Sequence, residues 1–217
     1  MEKDWVLKIR YLESVDSTQL YLKKILKEKK IVAPYAIVAQ MQTDGQGSRD
    51  NSWTGMKGNL FVSFCVPLQD LPTDLKLESA SIYFAYILKE ILSDEGSQVW
   101  LKWPNDFYVK NLKIGGMITS LLNDTVICGV GLNLVANPIG YAKLDIKVNV
   151  EDLLNKYFIN LEKKIVWKQI FSKYKLEFYK NQNFSTHINS LKISLDEALL
   201  QDDGSIVINN ERVYSLR

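Results

Sequence analysis

The sequence has little of several residue types on which common enzyme chemistries depend. His187 is the only histidine, and Cys65 and Cys128 are the only cysteines, so a zinc site built from several histidines cannot form. A Ser-His-Asp triad would depend on His187 alone, which lies in the loop-like stretch NFSTHINS. The search for reactive groups therefore turns to lysine, arginine, carboxamides and backbone amides.

The cysteines and the apolar segments also limit where the protein works. Cys65 and Cys128 lie in the apolar runs LFVSFCV and TVICGV and do not form a Cys-x-x-Cys pair, so buried free thiols are expected. No run of about 18 apolar residues occurs, and the N-terminus MEKDWVLKIRYLESVDST has no apolar stretch followed by a small-residue cleavage site. We therefore expect a cytoplasmic protein without membrane insertion.

An excess of charge of one sign is missing as well. The chain has 27 Lys and Arg against 25 Asp and Glu, a formal net charge of +2, which is too weak a basic field to predict nucleic acid as the main partner. With 217 residues, 47% of them hydrophobic, the chain can bury a core of its own. Its length favours one main domain with a small appendage.

The hydrophobic pattern predicts an α+β protein. Strands are expected over residues 5–12, 36–41 and 59–66, and in the stretches QVWLKW, LKIGGMITSLL and TVICGVGLNL, which suggest an antiparallel or mixed sheet. Helices are expected over DSTQLYLKKILKEKK, with an Asp16–Gln19 capping box, over LKLESASIYFAYILKEILSD, and twice after Val150. The prediction is a main domain over 1–189 and a docked β appendage over 190–217, too small for its own core.

Two polar stretches could form a site. In QTDGQGSRDNSW the glycines let the backbone approach a ligand, and Arg49 could fork onto a phosphate or carboxylate. In LKWPNDFYVKNLKIGG, Lys102 ends a strand at a proline corner and Lys113 follows a short hairpin later. Convergence of both ammonium groups, Arg49 and the loop amides would suit charge stabilisation in phosphoryl or nucleotidyl transfer. The residues alone leave open that these are solvated lysines and ordinary polar turns.

Taken in order, DSTQ, QTDGQGSRDNSW, KWPNDFYVKNLKIGGMI and GVGLNL resemble the motifs of the biotin protein ligases, over about residues 10 to 135. The resemblance implies a mixed β-sheet flanked by helices, related to class II aminoacyl-tRNA synthetases and lipoate ligases, with a small C-terminal β-barrel that is shortened here. It implies that the biotin carboxylate attacks the α-phosphorus of ATP to give biotinyl-5′-AMP, from which a lysine of a carrier protein takes biotin. Biotin and ATP with Mg²⁺ would be bound as substrates and activator, without a tightly bound prosthetic group.

The resemblance also implies roles for individual residues. The predicted catalytic residues are Lys113, at the position of the family's essential lysine, with Arg49 and Asp106. The predicted biotin-binding residues are Ser17, Thr18, Gln19, Gln42, Gly45, Gln46, Gly47, Ser48, Arg49, Lys113, Gly115 and Gly116. The predicted nucleotide-binding residues are Arg49, Asn51, Trp53, Lys102, Asn105, Lys113 and Asn133. Asp106 is also a predicted ligand of the Mg²⁺ that accompanies ATP.

Departures from the family pattern add further expectations. The glycine loop usually reads Gly-Arg-Gly-Arg, whereas Gln46 and Ser48 stand at the arginine positions, so Arg49 is expected to supply the missing charge. Because the DSTQ element begins at Asp16, no DNA-binding module is expected ahead of it. The expected partner is a biotin carboxyl carrier protein of acetyl-CoA carboxylase or a related carboxylase, served by a monomer or homodimer. A lipoate or octanoate ligase, or a non-catalytic biotin or nucleotide sensor, stays as an alternative.

Overall fold

A computed structural model describes residues 7–47, 52–53, 55–188 and 191–215 of the chain. The strands are β1 (Lys8–Leu12), β2 (Tyr35–Ala39), β3 (Gly45–Gln46), β4 (Ser52–Trp53), β5 (Leu60–Pro67), β6 (Val99–Lys102), β7 (Asp106–Val109), β8 (Leu112–Leu122), β9 (Thr125–Leu132), β10 (Ser185–Ile188), β11 (Leu191–Ser194), β12 (Leu199–Leu200), β13 (Ile206–Ile208) and β14 (Glu211–Val213). The helices are α1 (Thr18–Lys27), α2 (Ala80–Asp94), α3 (Val150–Glu162) and α4 (Trp167–Glu177), with 3₁₀ turns at Leu68–Asp70, Leu77–Ser79 and Phe178–Asn181.

The frame is a seven-stranded sheet in the order β1-β2-β5-β9-β8-β7-β6. β1 and β2 are parallel, and every other neighbouring pair is antiparallel. The predicted mixed sheet flanked by helices is thereby confirmed. One strand of this sheet was not predicted, since Asp106–Val109 forms β7 and the hairpin turn is confined to Lys110 and Asn111.

The two faces of the sheet bury different helices. Successive residues of a strand point to opposite faces, so Phe64 packs against α2 and α3 while Cys65 packs with Leu22 of α1. The larger core lies on the α2 and α3 side, and α1 covers part of the other face. Cys65 and Cys128 are buried free thiols, as predicted, and burial raises the pKa of Cys65 to about 11.

The start of α1 differs from the predicted capping box. Ser17 is the N-cap, with extended backbone, and its Oγ accepts a hydrogen bond of 3.4 Å from the Leu20 amide. Asp16 accepts instead from the amide of Ser17 at 2.8 Å. The cap therefore lies one residue later than predicted, and the first turn of α1 carries Thr18 and Gln19 in buried positions.

The C-terminal strands form a β10-β11 hairpin and a three-stranded β12-β13-β14 sheet. β10 and β11 pair with each other from opposite sides of the predicted boundary, and side chains such as Ile206 pack into the main core. The division at 189/190 stays a prediction. In the turn before β13, Asp203 is bound by Ser205 and Arg212. Burial alone would raise the pKa of Asp203, but these hydrogen bonds outweigh it and hold that pKa well below its usual range.

None of the helices in the described ranges is long and apolar enough to cross a membrane.

Candidate functional site

A pocket lies on the sheet face that α1 covers, at the N-terminal end of that helix. It holds ≈ 480 Å³ of space, its open mouth included. Its walls are the start of α1, the segment 42–47, Trp53, the corner 105–106 and the middle of β8 and β9. Most of the predicted biotin-binding residues therefore lie around one cavity, although they come from distant parts of the chain.

One end of the pocket is a chain of hydrogen bonds between neutral polar groups. The carboxamide oxygen of Gln42 accepts from the backbone amide of Thr18 at 2.8 Å and from its hydroxyl at 2.9 Å. The Thr18 hydroxyl, having donated its proton to Gln42, can only accept from Ser63, 2.8 Å away. Since an amide N–H can only donate, the orientation of Gln42 is fixed and its Nε2 is left as a donor.

The other end of the pocket carries charge. Nζ of Lys113 lies 2.6 Å from Oδ1 of Asp106, and Nζ of Lys102 lies 3.6 Å from Oδ2 of the same carboxylate. The Lys113 side chain is 27% exposed and that of Lys102 only 8%. Lys113 lines the pocket, whereas Lys102 lies behind it. Two ammonium groups sharing one carboxylate leave this end positive.

Tyr108 supports the buried lysine. Nζ of Lys102 lies 5.8 Å from the centre of the Tyr108 ring, within the range of a cation–π contact. Burial, with Asp106 nearby, raises the pKa of Tyr108, so the phenol stays neutral and adds no second anion. Lys102 is therefore held between a carboxylate and an aromatic face.

A β-bulge brings Lys113 to the pocket. Asp106 pairs with Gly116 and Phe107 with Gly115, but Tyr108 pairs with Lys113, so β8 has one extra residue at this point. In a regular strand, residues 113 and 116 would face opposite sides, and the bulge turns Lys113 to the side of Gly116. A Cβ on Gly116 would lie 3.6 Å from Nζ of Lys113. The Lys-x-Gly-Gly motif therefore forms a β-bulge that directs the Lys113 ammonium group toward the pocket.

Two glycines of β9 form the floor of the pocket and leave it free of side chains. Gly129 and Gly131 share the pocket face of β9, where a Cβ on Gly131 would lie 2.7 Å from Nε1 of Trp53. A Cβ on Gly129 would lie 3.3 Å from the Ser63 hydroxyl. Ser63, Gly129 and Gly131 were not predicted as site residues, although two glycines spaced two apart in a strand indicate one flat face.

The glycine-rich segment folds partly as a small hairpin. β3 pairs with β4, and a Cβ on Gly45 would lie 2.5 Å from the Trp53 carbonyl oxygen. Gln46 and Gly47 line the pocket. Nε1 of Trp53 is buried and has no hydrogen-bond partner in the described part of the chain, and the ring meets Tyr141 edge-on at 6.3 Å. Ser48, Arg49 and Asn51 lie outside the described residues, so their predicted roles stay predictions.

The remaining predicted residues divide into two groups. Asn105 lines the pocket and is tied to β8, since its carbonyl accepts from Met117 N at 2.9 Å and its side-chain amide donates to the Met117 carbonyl. Gly115 instead packs against β9, where a Cβ would lie 2.4 Å from the Gly131 carbonyl oxygen. Asn133 is fully buried away from the pocket.

Both ends of the Asn133 carboxamide are used inside the protein. Its oxygen accepts from Asn59 at 3.2 Å, and its nitrogen donates to the Ala142 carbonyl at 3.0 Å. Asn59 in turn accepts three backbone amides from the segment 134–136. Asn133 and Asn59 therefore shape the loop after β9, and the predicted nucleotide contact of Asn133 stays a prediction.

Comparisons with known proteins show the family and the fold of the chain. The family described as "Biotin/lipoate A/B protein ligase family" matches residues 11–133. The structure is similar to that of biotin acetyl coenzyme A carboxylase synthetase from Helicobacter pylori with bound biotinylated ATP, with a TM-score of 0.92, 36% identity, and coverage of 96% of this chain and 100% of that one. The biotin protein ligase of Aquifex aeolicus in complex with biotin and ATP shares the fold, with a TM-score of 0.75 at 22% identity over 97% of this chain and 96% of that one.

Curated relatives match over part of their length. The bifunctional ligase/repressor BirA of Salmonella typhimurium is 27% identical over 161 residues, which are 71% of this chain and 46% of that protein. Biotin–protein ligase 2 of Arabidopsis thaliana is 35% identical over 107 residues, 45% of this chain and 32% of that protein. The chain thus spans less than half of the length of these relatives.

Proposed function

Because the chain belongs to the biotin/lipoate A/B protein ligase family, we propose that it attaches biotin to a lysine of an acceptor protein in two steps that consume ATP. The observation that carries the proposal is one pocket with two unlike ends. Neutral donors and acceptors converge at one end, and the Lys113–Asp106–Lys102 group lies at the other. A ligand with a polar uncharged head and a carboxylate tail fits this arrangement.

The neutral end favours biotin over lipoate. The ureido ring of biotin has one carbonyl and two N–H groups, and burying them without partners would be costly. Nε2 of Gln42 and the Ser17 hydroxyl, whose oxygen already accepts from Leu20, offer donors, while the Ser63 oxygen offers an acceptor. The dithiolane ring of lipoate needs none of these groups and would leave them unsatisfied.

Lys113 is the residue that we assign to the first step. A carboxylate oxygen of biotin attacks the α-phosphorus of ATP, the bond from that phosphorus to the bridging oxygen breaks, and pyrophosphate leaves. Two anions must approach each other, and an ammonium group held at the pocket wall lowers the repulsion between them. Asp106 keeps Lys113 extended toward the pocket until the substrates arrive. Retention of this lysine in such a position favours an enzyme over a sensor.

In the second step, the amine of an acceptor lysine attacks the carbonyl carbon of biotinyl-5′-AMP. An amide bond forms, the bond to the phosphate oxygen breaks, AMP leaves and the amine loses a proton. We propose a biotin carboxyl carrier protein as the acceptor and the cytoplasm as the compartment, with the enzyme acting as a monomer or homodimer. The name of a relative from Mycobacterium tuberculosis, biotin–[acetyl-CoA-carboxylase] ligase, supports this choice of acceptor.

Magnesium belongs to the nucleotide in this proposal. Among the described residues, no three His, Cys, Asp or Glu side chains come together in a way that could hold a metal ion. Asp106 is the one carboxylate among the described residues that line the pocket, and two lysines already contact it. Mg²⁺ commonly uses substrate phosphates and few protein ligands, so it would arrive on ATP, and the metal role of Asp106 stays a prediction.

The experiment supplies ATP, Mg²⁺ and a biotin carboxyl carrier domain, with biotin in one reaction and lipoate in the other, and weighs the carrier by mass spectrometry. A biotin-sized gain with the wild-type protein supports the proposal. A lipoyl-sized gain would identify the lipoate alternative. Tight biotin binding by calorimetry with no change in carrier mass would identify the sensor.

A further inference from the structure

The C-terminal turn 202–205 contacts the same corner that carries Asp106. The indole nitrogen of Trp103 donates to the Gly204 carbonyl at 2.9 Å, and Trp103 is completely buried. Its backbone amide donates to the side chain of Asn181 at 2.8 Å. Both anchors of Trp103 thus come from the last part of the described chain, while the residue itself stands three positions before Asp106.

The residues of the corner connect Trp103 to the Asp106–Lys113 ion pair. After Trp103 and Pro104, Asn105 is fixed to Met117 by its carbonyl and by its side chain. The next residue, Asp106, pairs with Gly116 and bonds Lys113. An unbroken series of contacts therefore runs from the C-terminal turn to the Lys113 ammonium.

The turn itself is held by more than one kind of contact. Asp203 is bound by Arg212 at 2.8 Å and by Ser205 at 2.6 Å, and its carbonyl accepts from the Ser79 hydroxyl. A Cβ on Gly204 would lie 3.0 Å from Ile82 and 3.1 Å from Trp167, at a φ of +78°. The turn is therefore wedged against the start of α2, and its backbone requires glycine at this position.

We infer that Trp103 is a positioning residue, which transmits the placement of the C-terminal turn 202–205 to the Asp106–Lys113 pair. This inference rests on the proposed function, because it concerns the step that Lys113 serves. The C-terminal strands then act on catalysis through the rear of the corner.

Trp167 offers a matched control. Its indole nitrogen donates to the Asp202 carbonyl at 2.9 Å, two residues before the carbonyl that Trp103 contacts, but Trp167 starts α4 and does not belong to the corner. Trp103→Phe and Trp167→Phe each keep a buried ring and remove one N–H donor to the same turn. A purely structural role predicts that both variants behave alike.

The first readout is catalytic. We expect Trp103→Phe to lower kcat/KM for ATP in pyrophosphate release by about ten- to a hundredfold, since small displacements of reacting groups can cost about that much. Biotin affinity without ATP should not change, because none of the hydrogen bonds at the neutral end of the pocket involves a residue of this series of contacts. Trp167→Phe should leave biotin affinity unchanged and should lower kcat/KM much less, because it removes one anchor of the turn and keeps the bond between Trp103 and Gly204. Equal losses in the two variants, or no loss in Trp103→Phe, would overturn the inference.

The second readout does not depend on ligase activity. Hydrogen–deuterium exchange of residues 99–118 should rise in Trp103→Phe relative to exchange in β1 and β2, and should rise clearly less in Trp167→Phe. Exchange that is the same in both variants would overturn the inference even if the wild-type protein were inactive. Absence of pyrophosphate release from the wild type would count against the proposed function alone.

Arg212→Gln keeps the test decisive if Trp103→Phe does not fold. Arg212 is 47% exposed and bonds the turn from outside, so its loss loosens the turn without opening the core. The expected result is faster exchange in 99–118 and slower adenylate formation at unchanged biotin affinity. Unchanged exchange in 99–118 would overturn the inference.

Discussion

Replacing Lys113 by methionine removes the ammonium group while keeping most of the side-chain length, and the expected loss can be worked from the structure. Two unit charges about 4 Å apart interact by about 4 kcal/mol at an effective dielectric constant of about 20. Lys113 is 27% exposed, so water screens part of this energy. Allowing about 2 to 4 kcal/mol, formation of biotinyl-5′-AMP should slow by about 30- to 1000-fold.

The assay separates chemistry from binding. Pyrophosphate release with biotin, ATP and Mg²⁺ reports adenylate formation, and calorimetry with biotin alone reports affinity. The rate should fall in Lys113→Met while biotin affinity changes little, because the site proposed for the ureido ring lies at the Thr18 and Gln42 end. Lys110→Met is the control, since it removes the same charge from the exposed hairpin turn next to β8 and should leave both quantities unchanged.

Two results would refute this reasoning. If Lys113→Met kept the wild-type rate, the ammonium would not act on the reacting anions. If biotin affinity fell as far as the rate, Lys113 would serve binding equally in ground and transition states, and its assignment to the first chemical step would be wrong.

Three further substitutions test other parts of the site and its support. Gly131→Ala would bring a Cβ within 2.7 Å of Nε1 of Trp53, so urea unfolding should show a loss of about 1 to 3 kcal/mol, and an unchanged midpoint would contradict the contact. Thr18→Val keeps the shape but leaves Gln42 without one donor, so calorimetry should show biotin binding weakened by about five- to a hundredfold, whereas an unchanged Kd would remove this hydroxyl from the biotin site. Asp203→Asn removes a carboxylate whose folded pKa is depressed, so the wild type should lose this stability as pH falls below about 4 and the variant should not; parallel urea-stability curves from neutral to acid pH would disprove it.

Much of the fold could be predicted because the spacing of hydrophobic residues and the residue composition change from one helix or strand to the next. The apolar runs gave β2, β5 and β9, and helical spacing gave α2 and α4. β7 was missed because the run DFYV follows a proline corner and is only four residues long, too short for alternation to stand out. The cap of α1 was placed at Asp16 because Asp and Ser are both good caps, and only the extended backbone of Ser17 decides between them.

The site was harder to predict than the fold. The motifs located Thr18, Gln42 and Lys113, but their meeting depends on sheet order, which brings β9 and β8 beside β5. The bulge that turns Lys113 to the pocket is set by pairing with β7 and leaves no mark in the strand period. For Asn133, the motif predicted a contact with the nucleotide but gave no indication of the hydrogen bonds that enclose its side chain within the protein.

Asp106 acts as an internal competitor for the ammonium of Lys113, and this has a consequence for selectivity. An entering anion exchanges with a carboxylate already 2.6 Å from that nitrogen, so it gains only the difference between two ion pairs. Chloride or acetate offers no more than Asp106 does, whereas a carboxylate and a triphosphate arriving together bring several negative charges. Resistance to occupation by ordinary background salts is therefore built into the protein's own charge pairing.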